Sequence, residues 1–535
     1  MKYAEHLGRP VPQTEKEDSR QVANSGGGFS FQVDDRARFR RFLVLGSEGG
    51  TYYVGERELT TANVDATKRL ASVEADGLWA VEEAALVSEG GRAPKNDPAV
   101  LALAVLARHG GEAVKKAALA ALPRVCRIPT HLFHFVEFCK KLGVGHGRSV
   151  NRALRSWYLD GPVDRLALHA VKYQQRDGWS HRDLLRLARP KTADVTRNAV
   201  FNWMVKGWPV VGQYPHPDEA LRLIWAFERA KTATTAELVR LISDHGLPNE
   251  CVPNDKKGTP EVWAAMLPHM GLTALVRNLG KMTSVGLIAP MSEASKTVAE
   301  KLGDVEAMKR GRVHPLHLLQ ALTVYRQGHG DKGSLTWSPV PKVIDALDRG
   351  FYAAFGAVEP TGKRHCLAID VSSSMDGSTV AGMSLTAREC AAAMALVTAA
   401  VEPEHTIVGF SHKLVDLPIS PRQRLDDVIK TMRSIDFGST DCTLPIAVAL
   451  RDKVMVDAFL VYTDSETNSY RSVHPHVALK DYRKRTGIAA KMAVVATSAT
   501  QFTIADPTDA GMIDVCGFDT ATPAVLADFV RGGAA

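Results

Sequence analysis

Between residues 61 and 355, apolar side chains recur three and four positions apart in short runs separated by Gly, Pro or Asn, the spacing of amphipathic helices. The pattern predicts helices near 63–88, 99–107 and 113–122, then one opened by Ile128-Pro129-Thr130-His131, where a first-turn proline is tolerated. Others are expected near 149–159, 163–176, 180–188, 218–230, 234–244, 260–268, 271–280, 292–302 and 315–326. Many short helices on short loops suit an α-solenoid of helix pairs, with an irregular all-α domain as the alternative. No fixed-period repeat is visible, so such repeats would be structural only. Ahead of this region a short helix is expected over Arg36 to Gly46, and Thr51–Val54 between turn glycines reads as a small hairpin strand. Residues 1–30 are polar and end in Ser25-Gly26-Gly27-Gly28, which predicts a flexible arm with a glycine hinge.

Near residue 361 the pattern changes to short apolar strands alternating with helices. Strands are expected at 366–371, 406–410, 457–462, 491–496 and 513–516, and helices at 384–401, 424–433, 444–453, 477–486 and 523–530. This alternation predicts a mostly parallel, doubly wound sheet. The expected organisation is a helical domain over 1–360 and an α/β domain over 361–535, as suits a chain of 535 residues.

Composition adds limits. No run of about 18 apolar residues suggests a spanning helix, and Met1 to His6 lacks an apolar leader, so a cytoplasmic protein without membrane attachment is expected. Seven cysteines, none in a C-x-x-C pair, read as reduced thiols rather than a disulfide frame or zinc site. Of 66 Lys/Arg and 59 Asp/Glu, residues 361–535 hold 17 and 20, leaving 49 and 39 for residues 1–360. A basic first part suggests a polyanionic partner, although an ordinary solvated surface carries as much charge.

Candidate chemistry falls in two places. The strand Cys366–Val371 ends in Asp370-x-Ser372-x-Ser374, and two later segments, Phe437 to Cys442 and Tyr462 to Glu466, fall at other strand ends. Asp370, Ser372, Ser374, Thr440 and Asp464 would supply hard oxygen ligands of the kind Mg²⁺ prefers, with Asp464 acting through water and one position left open. The simpler alternative is that these residues cap helices. The three segments resemble the metal-ion-dependent adhesion site (MIDAS) of von Willebrand factor A domains. Asp441 is a further candidate beside Thr440.

The second place is Val171 to Arg189. Lys172 and Arg176, four apart, are expected on one helix face closed by Gly178, with Ser180 capping the next helix. Arg182, Arg186 and Arg189 would lie opposite the apolar Leu184, Leu185 and Leu187. Such a cationic surface, with Tyr173 and Trp179 near, suits phosphates and single-stranded bases; a solvated face over a buried Trp179 is the alternative.

Asp177-Gly178-Trp179-Ser180-His181 with Asp183-Leu184-Leu185-Arg186-Leu187 resembles the Ro autoantigen family and its TROVE module, most closely the bacterial members. So do Phe42 to Tyr53, Arg127 to Phe133 and Leu272 to Met282, and the likeness spans nearly the whole chain. The resemblance implies a ring of HEAT-like helical repeats closed by the A domain. It implies a small non-coding Y RNA on an outer basic surface at Lys172, Arg176 and Arg189, where Arg189 replaces a histidine of vertebrate members. It further implies single-stranded 3′ ends of misfolded RNA in the hole, with Arg127, Thr130 and His131 as hole-lining candidates; His131 could equally be a packed core histidine. A role in RNA quality control or maturation, an exoribonuclease partner such as polynucleotide phosphorylase, and a monomeric protein complete the expectation.

Two other readings stand beside it. One is a protein-interaction scaffold acting through the A domain, with RNA binding incidental. The other is an enzyme, for which no P-loop, Ser-His-Asp order or zinc spacing is present; His365 and His412 near the Mg²⁺-type loop are its only support. A non-catalytic RNA-binding protein is expected.

Overall fold

The computed structural model describes residues 10–145, 147–207, 218–355, 358–435 and 438–532. Phe437 and residues 1–9 of the expected arm lie outside these.

Residues 10–32 form not a free arm but a strap on the C-terminal domain. Strands β1 (Val22–Ala23) and β2 (Phe29–Gln32) pair with each other. Four of its polar residues, Gln13, Gln21, Asn24 and Ser30, are buried and bonded to distant groups. The Gln13 amide donates to Asp441 and Thr443 at 2.8 Å each and to the Val473 carbonyl at 3.1 Å. Asn24 donates to the Thr467 carbonyl at 2.8 Å, and the Ser30 hydroxyl to the Ser465 carbonyl at 2.8 Å. The glycines serve close approach rather than hinging: a Cβ on Gly28 would lie 2.0 Å from the Thr467 carbonyl oxygen. Because that obstacle is backbone, Gly28→Ala is expected to lift the strap, making the segment 10–32 cleavable by a dilute protease under conditions where the wild-type strap resists.

The helices follow the predicted pattern with corrections. The expected helix 63–88 is two, Glu56–Ser72 and Glu74–Gly90, broken at Val73. Thr51–Val54 is not a strand; the Tyr52 N–H donates to the Ser378 hydroxyl at 3.0 Å, and its ring packs where a Gly377 side chain would be. Helices Val195–Lys206, Val305–Gly311 and Pro341–Ala353 were not anticipated.

The helix expected over 163–176 stops at Lys172. Then β3 (Gln175–Arg176) and β4 (Trp179–Ser180) form a two-residue hairpin. Its turn is Asp177-Gly178, with φ of 54° and 78°, the paired left-handed conformation that Asp-Gly favours between strands. Lys172 and Arg176 therefore do not share a helix face.

The C-terminal domain is built on β5 (His365–Asp370), β6 (His405–Phe410), β7 (Leu414–Asp416), β8 (Ala458–Thr463), β9 (Lys491–Ala496) and β11 (Met512–Cys516), with the short β10 (Phe502–Thr503) between the last two in sequence. The sheet order is β11-β9-β8-β5-β6-β7, parallel except for the unanticipated edge strand β7. Central β5 is buried along its length: Leu367 and Ile369 join the core shared with the helices, while Cys366 and Ala368 join a second core on the other face. Burial on both faces explains why these strands read as unbroken apolar runs. β10 pairs with β2, seating the strap.

The α/β domain joins the two ends of the helical array. Near the start, buried Arg41 reaches Asp514 at 2.5 Å and the carbonyls of Thr500 and Phe502 at 2.9 Å, and Arg92 meets Asp519 at 2.5 Å. Near the end, Arg326 pairs with Asp426 and Asp427, and the Leu425 N–H donates to Asp348 at 2.9 Å. Arg312, late in the array, donates to the Glu89 carbonyl, early in it, at 2.6 Å. The helices thus close into a ring. No described helix is long and apolar enough to cross a membrane, and all seven cysteines are free thiols.

Candidate nucleic-acid interface and metal-type site

Between early, middle and late parts of the helical array lies a cavity of about 730 Å³. Its walls come from early, middle and late elements: Asn96 and Asp97, Thr130, His131 and His134, Arg176 on the hairpin, Arg277 and Lys281, Tyr325, Trp337, and Gly382 and Met383 of the α/β domain. Five Lys/Arg (Lys95, Arg176, Arg277, Lys281, Lys332) face two Asp (Asp97, Asp331). A net positive pocket with aromatic walls suits a polyanion with planar groups.

The cavity gathers two of the three expected hole residues, Thr130 and His131. His131 is pushed down to about 3 by burial and then by the Arg127 charge, so it is a neutral imidazole at physiological pH. Its Nδ1 lies 3.0 Å from the Asn96 amide nitrogen. Arg127 does not line the cavity; it lies in a smaller adjoining pocket. Arg176, expected with Lys172 on the outer surface, is exposed on the hairpin and also borders the cavity. Lys172 lies 3.7 Å from Glu250, and exposed Arg189 caps the next helix with φ of 50°. On that helix the Ser180–Asp183 capping box is complete, and Arg182 and Arg186 are exposed as expected. Trp179 is half-buried, donating to Glu137 at 3.0 Å.

Arg277 and Lys281 were missed although both lie in Leu272–Met282, a stretch quoted for its likeness. Their separation of four places them on one face of the helix Leu272–Ser284. Lys95, Lys332 and Trp337 carried no sequence signal, since only ring closure brings them inward.

The three strand-end loops of the α/β domain do converge. β5 delivers Asp370, whose Oδ1 accepts from the Ser372 N–H at 2.9 Å and whose Oδ2 accepts from the Thr463 hydroxyl at 2.6 Å. The Ser372 and Ser374 hydroxyls are 3.1 Å apart, and Ser374 is hydrogen-bonded to Asp464. All are buried, as is Thr440. Burial and then the Asp464 charge push the Asp370 carboxyl up to about 7; burial also raises Asp464. Two buried carboxylates that repel each other, flanked by hydroxyls, form a donor set that a hard divalent cation would complete. Among the described residues no three His, Cys, Asp or Glu side chains converge as a metal cluster, so such a site would draw on hydroxyls.

Asp441 belongs to another structure. Its Oδ1 accepts from the Gln13 amide at 2.8 Å and the Thr443 N–H at 3.1 Å, and its Oδ2 accepts from Ser472. It seats the strap. His365 begins β5 while Asp370 ends it, a separation of about 16 Å along a strand, which removes His365 from any chemistry at the metal-type loops.

Known proteins match this arrangement. A family model for the TROVE domain matches residues 22–211 and 248–323, and one for the Ro60 vWA domain matches residues 364–530. A helical TROVE region followed by an A domain defines the class of TROVE proteins that carry a von Willebrand A domain. The chain is 45% identical over 525 residues to the RNA-binding protein RO60 of Deinococcus radiodurans, covering 97% of each. It is 36% identical over 601 aligned positions to that of Caenorhabditis elegans, covering 98% of this chain and 92% of the relative. The crystal structure of the Deinococcus radiodurans RO (RSR) protein matches with a TM-score of 0.70 at 44% identity, covering 93% of this chain and 100% of the other. The chain belongs to the RO60 family. Both relatives carry the name of an RNA-binding protein.

Proposed function

We propose that the protein binds RNA without altering it. A single-stranded 3′ tail enters the central cavity, while structured portions, a Y RNA among them, lie on the outer basic surface of Lys172, Arg182, Arg186 and Arg189. The observation that carries this reading is the basic cavity assembled from distant parts of the chain; the RNA-binding relatives support it. A tail requirement would select misfolded or incompletely processed RNA, as RNA quality control demands, and a threaded end could be passed to an exoribonuclease such as polynucleotide phosphorylase. Asp370, Ser372, Ser374, Thr440 and Asp464 would hold Mg²⁺, which would bind an acidic ligand at its open position; the buried carboxylate pair supports this.

The test is competition for a labelled hairpin carrying a 3′ tail. Tailed competitor should displace it, and blunt duplex of equal length should do so at least tenfold less well. Lys172→Ala/Arg189→Ala should weaken both competitors alike, because that surface contacts only backbone charge. Equal competition by blunt and tailed RNA would end the threading reading.

A further inference from the structure

Beside the central cavity lies a second pocket of about 90 Å³, lined by Arg127, Trp157, Asp160, Arg165 and His169 among others. Arg127 precedes the helix Pro129–Lys141, and Thr130 and His131 in that helix's first turn line the central cavity. One short segment, Cys126 to His131, thus borders both spaces.

The arginines here are held by neutral groups. Arg127 Nε donates to the Ser88 hydroxyl at 3.0 Å, and Arg165 Nη2 to the Arg127 carbonyl at 3.1 Å. Arg312 Nε donates to the Glu89 carbonyl at 2.6 Å. Among the described residues no ion pair holds any of the three: Arg127 is half-buried, Arg165 and Arg312 are exposed, and their like charges act on one another. The charges of Arg312 and Arg165, after burial, bring Arg127 down to about 10. Arg312 has φ of 49°, and its Cβ packs against Gly91, where an added Cβ would lie 2.7 Å away. This left-handed conformation caps the helix Val305–Gly311.

The opposing charge nearby is limited. Glu89 acts on Arg127 only weakly and is itself forked to Arg124, with 2.8 Å to Nη2. Asp160 lines the pocket and accepts from the Ser156 hydroxyl. The remaining wall is aromatic: Trp157 stacks on His169 with ring centres 6.1 Å apart, and Trp157 Nε1 donates to the Cys126 carbonyl at 2.5 Å. His169 is pushed down to about 3 by burial and then by Arg165, so it adds no charge near neutrality. Two guanidinium groups in one pocket with a third adjoining form a fork-rich anion site of the kind phosphate oxygens fill.

We propose that Arg127 and Arg165, with Arg312 adjoining, form a phosphate-binding pocket separate from the central cavity, which takes a backbone phosphate of the RNA strand entering or leaving that cavity. The placement on the RNA path rests on the RNA reading above; the phosphate chemistry does not.

Full-length wild type, Arg165→Gln and Arg312→Gln are compared in two assays. In the first, affinity for a hairpin with a 12-nucleotide 3′ tail is measured across a salt series. Arg165 is exposed, so its variant is expected to fold. Each variant should bind about 5- to 10-fold more weakly at 50 mM salt, with a log–log slope shallower by roughly 0.7, the loss of one single-strand phosphate contact. In the second, inorganic phosphate is added during thermal unfolding; it should raise the wild-type midpoint more than it raises that of either variant.

Loss of both responses in the variants supports the proposal. Unchanged RNA affinity with a lost phosphate response would assign the pocket to free phosphate and overturn its place on the RNA path. No change in either assay overturns the pocket itself. If wild type binds no tailed RNA, the RNA reading fails, while the phosphate assay still decides the pocket.

Discussion

Replacing Arg277 and Lys281 together by glutamine is expected to weaken binding of tailed RNA about 60-fold at 50 mM salt but only about 10-fold at 200 mM. The two values follow from counterion release: each single-strand phosphate neutralised contributes a slope of about 0.7, so two lost charges reduce the slope by roughly 1.4. Both residues sit on the cavity-facing side of the helix Leu272–Ser284. Glutamine keeps the inner methylenes and a polar head while removing the charge, so the change is mainly one of charge. The controlling comparison is blunt duplex RNA, which meets only the outer surface; its affinity should hardly change. A filter-binding series at four salt concentrations measures both. An unaltered slope for tailed RNA, or an equal loss for blunt duplex, would show that these cations do not face the bound strand.

The second large effect concerns the paired carboxylates of the α/β domain. Mg²⁺ at one hundred times its dissociation constant should stabilise the folded protein by about 2.7 kcal/mol, and Asp370→Asn should remove that gain completely. Without metal the same variant should be at least as stable as wild type at pH 7. Burial and the Asp464 charge both penalise ionised Asp370, and an amide ends the repulsion while still able to accept from the Ser372 N–H. Thermal unfolding in EDTA and in Mg²⁺ gives the four values required. A Mg²⁺ response that survives in Asp370→Asn would place the cation elsewhere, and no response in wild type would remove it from the proposal.

The α/β domain was legible almost strand by strand, because strands buried on both faces leave apolar runs that need no partner to recognise. Its metal-type loops were equally legible, since Asp370, Ser372 and Ser374 are fixed by local spacing at a strand end. The hairpin at Asp177-Gly178 was legible in principle, but Lys172 and Arg176 at helical spacing favoured a longer helix. The strap was misjudged for a physical reason: Gln13, Gln21 and Asn24 are polar, and only partners more than 400 residues away make them interior groups. Thr51–Val54 has strand-forming residues but meets the loop around Gly377 rather than a strand. The cavity was least legible, as Lys95, Arg277 and Lys332 share a wall only after the ring closes.

The seat of the strap also has a bearing on synthesis. β2 pairs with Phe502–Thr503, so the first strands cannot find their place until the ribosome has made nearly all of the remaining chain. At about 5–20 residues per second that wait is roughly 25–100 s. During it the strap is bare polypeptide and the ring is open, and proteases or chaperones would meet the nascent protein in that form. Its maturation is therefore timed by a late part of the chain, and ending translation before β10 should leave the strap held only by its bonds to the loops around Asp441 and Thr467.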